Sequence, residues 1–225
     1  MRVHLSNAAT GLLMLLCAQP SPAAQAPKTW DGLVQVDSKK LDLVYLQPGA
    51  DFRGYTKVMI DPTEVGFAKN WQRDHNRSRA SISGRVSDRE VERAITEGSQ
   101  VAGKIFAEAW TKGGYAVVGA PAPDAVRVKA GVLNISVTAP EQQTAGSSHT
   151  FSSDAGRATF FVEVRDSMTG ALLGRAVDQH VIGDSFTTWR TASTNRADFR
   201  DQVELWAKMS VHGLSELQSL SPIQP

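Results

Sequence analysis

The chain has 225 residues, enough for one domain with a full core and short for two. It is 41% hydrophobic and 21% charged, which excludes wholesale disorder. Lys and Arg number 24 against 23 Asp and Glu; Arg2 is the one such residue before position 27, so the remainder is neutral. It carries no global field to recruit nucleic acid.

Arg2 is followed by a short apolar run over residues 8–18, then by the helix breakers Pro20 and Pro22 and the small residues Ala23, Ala24 and Ala26. This is the layout of a cleavable secretory signal over residues 1–26, with cleavage between Ala23 and Ala26. The run is about half of the roughly 20 residues needed to span a bilayer, and no later stretch approaches that length, so no transmembrane span is expected. Cys17 is the chain's one cysteine. A lipid anchor there is not expected, because Leu15 and Leu16 stand where a lipobox wants a small residue. The remainder, cysteine-free, suits the periplasm or secretion.

Residues 27–225 read as a single domain. Residues 27–56 have scattered apolar positions, with Leu43–Leu46 as a short strand. Lys57–Ile60 is a stronger strand, stopped by Asp61-Pro62. Residues 69–87 are polar and basic without a period, and are expected to form a long surface loop. Ser87 opens the clearest helix: Ser87-Asp88-Arg89-Glu90 fits a capping box, apolar residues follow at helical spacing from Val91 to Ala109, and Gly113-Gly114 ends it. Tyr115–Val118 is a strand. Residues 126–138 form a long one whose alternation slips at Gly131-Val132, as at a β-bulge.

After a polar loop over 139–156 comes a hairpin: an alternating strand through Phe160–Arg165, a turn at Asp166–Gly170, and a return over 171–182. Glu163 and Arg165 imply that one of its faces meets water. A polar loop over 184–194 leads to a last helix capped by Thr194 or Asn195 and lined by Phe199, Val203, Trp206, Gly213, Leu214 and Leu217. The expected fold class is α+β: a two-layer sandwich with a mostly antiparallel sheet and two main helices packed on it.

The stretch Trp30–Trp71 resembles the opening of a bacterial family known as domain of unknown function 3313. The similarity continues through Gly114–Val118, through Asp166–Gly170 with Leu172-Leu173-Gly174-Arg175, and through Asn195–Phe199. It covers nearly all of the chain after the leader. The resemblance implies a cell-envelope protein, since members usually carry a lipoprotein description. It implies no catalytic residue, because the family has no established activity.

The signatures of nucleophilic hydrolases, phosphate-binding loops and zinc proteases are missing. His149 with Ser147, Ser148 and Asp154 has the cast of an activated serine, but in a polar loop that collects such residues by chance. Asp178 and His180 stand two apart on a strand, a spacing for two metal ligands, with no third in sight; the plainer reading is a surface pair on an exposed sheet face. Trp110 and Trp206 fall on helix inner stripes and belong to the core. Trp71 and Trp189 sit beside arginines, as interface anchors do.

The expected function is therefore a non-enzymatic binding or accessory domain of the envelope. Its expected site is Trp71, Arg73, Arg77, Trp189 and Arg190, with no cofactor and no metal. The expected partner is another envelope protein or an anionic envelope ligand, and not nucleic acid. Two alternatives stand beside it. One is a hydrolase acting on an envelope polymer; the other is a subunit that self-assembles through an exposed sheet face or edge.

Overall fold

Alternating strands and two amphipathic helices set the architecture of the computed structural model. It describes residues 26–78, 85–137, 151–152, 156–183, 188–189 and 192–224, with backbone only for 151–152, 188–189 and 192–194. Among the described residues, eleven strands and three helices follow in the order β1(Thr29–Trp30), β2(Leu33–Val36), β3(Leu43–Leu46), β4(Lys57–Ile60), β5(Glu64–Phe67), α1(Trp71–Arg77), α2(Asp88–Lys112), β6(Ala116–Val118), β7(Ala125–Val137), β8(Phe151–Ser152), β9(Gly156–Asp166), β10(Leu172–Ile182), β11(Thr188–Trp189) and α3(Ala192–Leu220).

Nine strands form one sheet in the order β1-β2-β3-β10-β9-β7-β4-β6, with β5 also paired to β7. The β9–β10 hairpin lies at its centre, turning at Asp166–Gly170 with Gly170 at φ 73°. The sheet is mixed, more so than the sequence suggests. β4 runs parallel to both β6 and β7, and β5 runs parallel to β7. The reason is connectivity: α2 carries the chain from the β4–β5 region back to β6, a crossover that delivers parallel neighbours.

Side chains of period two put Val126, Val128 and Ala130 of β7 and Phe160 and Val162 of β9 on the face the helices cover. Phe160 is its midpoint. Phe106 of α2 stacks on it at 5.9 Å between ring centroids, and Trp206 of α3 at 5.3 Å. Trp110 and Trp206 are both fully buried, as their helical spacing indicates.

α2 begins as expected. The Ser87 side chain accepts from the Glu90 N–H, and Glu90 accepts from the Ser87 N–H at 2.8 Å. Gly114, at φ 90°, takes the left-handed position after its end.

Several expectations are corrected. Residues 71–77 are helical, not part of a loop: Asn76 exchanges hydrogen bonds with the backbone of Val86, and that return contact supports a helix too short to stand alone. The slip in β7 falls later than Gly131-Val132. Alternation holds through Val132, and the register with β9 shifts between Leu133 and Ser136, where Asn134 has φ 54°. α3 starts at Ala192, so Thr194 and Asn195 lie within it and cannot be its cap. The opening region is also more regular than its composition suggests: β1 and β2 pair around Asp31 (φ 52°) and Gly32 (φ 84°).

Candidate functional site

The two faces of the sheet carry different chemistry. On the face away from the helices, cross-strand neighbours form a ladder of charges: Lys129 opposes Glu163, Arg127 opposes Arg165, and Glu163 opposes Arg175. Glu163 is only 8% exposed. Its carboxylate accepts from Arg165 Nε at 2.6 Å and from Arg175 Nη2 and Nε at 2.7 and 3.1 Å. Burial pushes its pKa up, but hydrogen bonds from Arg175 and Arg165 outweigh that, and the net shift is downward. Arg175 also donates to Asp31 at 2.9 Å, and its guanidinium lies 4.1 Å from the Trp30 ring centroid. Trp30 in turn stands edge-on to Tyr45. This face meets water at Arg165, as expected, while the Glu163 carboxylate itself is covered by two arginines.

A broad trough of about 910 Å³ runs along this ladder and β5. Its charges are matched: Arg127 with Asp61 at 2.9 Å, Lys129 with Glu64 at 2.7 Å, and Arg165 with Glu163. Three cations meet three anions, so the trough offers an ionic ligand no net field. Volume alone does not make it the better site.

The helix face holds a smaller and different space, a groove of about 540 Å³ between the sheet and the C-terminal half of α3. Its floor is Val44 and Leu46 of β3, Val162 and Val164 of β9, and Ala176 of β10. Its roof is Met209, Leu214 and Leu217, with Trp110 and Phe52 at its depth. α3 approaches the sheet at Trp206, where the indole N–H donates to the Asp178 carboxylate at 2.7 Å. The groove opens beyond that anchor.

Gly213 lines the groove. A Cβ built there meets nothing within 4 Å. Glycine inside a helix costs about 1 kcal/mol relative to alanine. No steric demand of the fold requires glycine there; what its missing side chain leaves is room. The indole N–H of Trp110 has no hydrogen-bond partner among the described residues, although the residue is 1% exposed.

Charges occupy one end of the groove. Asp37, Lys39 and Lys40 belong to the β2–β3 connection, and Lys40 pairs with Glu216 of α3 across the opening. Ser38 Oγ accepts from the N–H groups of Lys40 and Leu41 at 3.2 and 3.1 Å, which fixes that connection. Arg175, the remaining charged lining residue, is engaged with Glu163 and Asp31 on the other face.

The residues chosen from sequence are placed differently. Trp71, Arg73 and Arg77 share α1. Trp71 is half-buried, stacked on Phe67 at 4.4 Å with His75 at 5.1 Å. Arg73 pairs with its neighbour Asp74, and Arg77 is exposed. Trp189 lies in β11, which pairs with β8 apart from the main sheet; Arg190 lies outside the described residues. So do Ser147, Ser148, His149 and Asp154, and the leader with Cys17.

Asp178 is not on an exposed face. It is 8% exposed, turned toward α3 and held by Trp206 and the Asp42 N–H. Among the described residues no group of three His, Cys, Asp or Glu is arranged to hold a metal. The signals in the sequence that point to this groove are Gly213 on the inner stripe of the last helix and the polar run Asp37–Lys40 between two apolar strands.

A family model described as "Protein of unknown function (DUF3313)" matches residues 22–210. No protein of curated function matches. Among solved structures, a PelC dodecamer from Paraburkholderia phytofirmans is 12% identical, covering 72% of this chain and 95% of that one, with a TM-score of 0.31. A DUF330 protein from Xanthomonas campestris is 10% identical over 77% and 91%, with a TM-score of 0.37. A DUF4136 family protein from Bacteroides thetaiotaomicron is 12% identical over 84% and 98%, with a TM-score of 0.34. None of these likenesses is close enough to lend this chain a role.

Proposed function

The chain belongs to the DUF3313 family of proteins of unknown function, and from that premise we propose that it is an exported, non-enzymatic binding domain of the cell envelope whose site is the groove beneath α3. The observation that carries this reading is the groove itself: about 540 Å³, apolar on floor and roof, with glycine where a side chain would fill it. That volume lies within the usual range of roughly 300–1,000 Å³ for small-molecule sites. The non-enzymatic part rests on how the described titratable groups are used. Glu163 is consumed by Arg165 and Arg175, and Asp178 by Trp206, so neither is available as a general base. Export rests on the layout of residues 1–26, and no described helix is long and apolar enough to cross a membrane.

The test is binding of a neutral apolar fluorophore, N-phenyl-1-naphthylamine, to the purified protein. Saturable binding at one site per chain is expected, abolished by Gly213→Leu. Absence of saturable binding overturns the reading. The intact mass of the chain isolated from the envelope fraction checks export: a mass beginning after residue 23 or 26 is expected, and an uncut leader refutes it.

A further inference from the structure

The groove is not uniformly apolar, and the distribution of its polar groups points to a ligand class. Its charged lining residues, Arg175 apart, gather at the end formed by the β2–β3 connection and Glu216. Lys40 and Glu216 neutralise each other there. Asp37 and Lys39 are exposed, and neither makes an ion pair or side-chain hydrogen bond among the described residues. The rim therefore presents one available anion and one available cation, two residues apart, held by a connection that Ser38 ties down. Behind the rim every sheet residue that forms the floor is aliphatic, and α3 contributes the gap at Gly213.

An occupant complementary to this has an apolar tail and a compact head carrying both signs. A wholly apolar molecule would leave the rim charges unmatched. A fatty acid would match Lys39 and set its carboxylate beside Asp37. A peptide helix would need an open apolar face, but Lys40 and Glu216 close the opening from opposite sides.

Resting on the groove reading above, we propose that the site takes a single-chain zwitterionic phospholipid: the acyl chain along Gly213 toward Trp110, the phosphate beside Lys39 and the ammonium group beside Asp37. Binding would trade Lys39 and Asp37 from water to the head group at the rim, where such exchange is worth a modest factor. Burial of the chain in the groove supplies the larger part of the affinity.

The experiment is displacement of N-phenyl-1-naphthylamine from the full chain by lysophosphatidylethanolamine with a sixteen-carbon chain, beside palmitate and hexadecanol, all below micellar concentration. The expected order is lysophosphatidylethanolamine first. Lys39→Ala and Asp37→Ala should each weaken it about fivefold relative to hexadecanol measured in the same variant. Gly213→Leu should abolish both, with an unchanged or raised Tm. A brominated acyl chain on the same lipid should quench emission in the native protein and quench less in Trp110→Phe, which locates the chain should the Gly213 variant not fold.

Palmitate displacing better than the phospholipid, or rim variants without effect, overturns the head-group assignment. Fluorophore binding without displacement by the phospholipid overturns the inference and leaves the binding reading standing. Absence of any fluorophore binding removes both. Loss of the site on self-association, seen by light scattering, assigns the groove to a second copy and also overturns it.

Discussion

The two faces of the central sheet come from the same strands and do opposite things with their contents. On the outer face, charges are packed against charges. Glu163 is enclosed by Arg165 and Arg175, and Arg175 is sandwiched between Glu163, Asp31 and Trp30. Among the described residues, the charges of this ladder are one another's partners. On the covered face the packing is tight around Phe160, where Phe106 and Trp206 stack on it, and loose beyond Trp206, where the groove begins. The contrast teaches where to look for binding. A polar cluster is chemically available only when its members are not already one another's ligands, and an apolar face is available where the packing stops.

The sharpest way to break this contrast is to empty the outer cluster. Glu163→Ala leaves the Arg175 guanidinium, whose side chain is 9% exposed, with the exposed Asp31 and the Trp30 ring. Stranding a buried charge costs about 3 kcal/mol, read as a lower urea midpoint at unchanged slope. A loss below about 1 kcal/mol would show that the cluster is an ordinary surface network. The same site fixes the acid limb. The folded pKa of Glu163 is lowered, so its contribution is fully present above the ordinary carboxylate range and is lost as pH falls through and below that range. Asp166 is lowered too, chiefly by the Thr169 N–H, and adds in the same direction. Glu163→Gln should flatten the acid limb of a stability-against-pH curve between about pH 5 and pH 2.

The anchor of the covered face is the next largest test. Trp206→Phe keeps an aromatic ring against Phe160 and removes the donor to the buried Asp178 carboxylate. The cost is about 2 kcal/mol, the desolvation of a buried acceptor that loses a partner. Asp178→Asn keeps an oxygen for the indole and gives up the longer acceptance from the Asp42 N–H at 3.3 Å, so it should cost less. Equal losses in the two would mean that the carboxylate charge, and not the hydrogen bond, is what the interior tolerates.

Much of this organisation is written locally and could be read from the chain. The capping box at Ser87, the left-handed turn after α2, the β9–β10 hairpin and the inward stripe that includes Trp206 each depend on residues a few positions apart. What could not be read depends on distant partners. α1 forms because Val86 returns to Asn76, and the parallel strands at one edge follow from where α2 crosses. Glu163 is covered by Arg175 from the neighbouring strand, and Asp178 faces inward because Trp206 arrives from another element.

The site expected from sequence rested on tryptophans beside arginines in sequence, Trp71 with Arg73 and Trp189 with Arg190. The contact of that kind that the described residues do make, Trp30 with Arg175, spans most of the chain. The groove was illegible for a related reason: its floor comes from three strands, its roof from a helix, and its character from what Gly213 lacks.

Two smaller effects calibrate the comparison, because both lie at its margins. Ser87→Ala removes the cap of α2 on the covered side and should cost about 1 kcal/mol. Tyr55 closes the far end of the sheet, donating its hydroxyl to Asp166 Oδ2 at 2.8 Å. Burial, and then the hydrogen bond and charge of Asp166, push its pKa up to about 12. A folded pKa raised above the ordinary value near 10 means that the contribution is fully present below pH 10 and is lost as pH rises to about 12. The residue is partly exposed, so water screens much of this and the amount is below about 1 kcal/mol. Tyr55→Phe should therefore leave stability nearly unchanged at neutral pH and remove a shallow decline above pH 10, measured by urea unfolding across that range. A decline of the same depth in the variant would assign the alkaline limb to other groups and leave Tyr55 as packing alone.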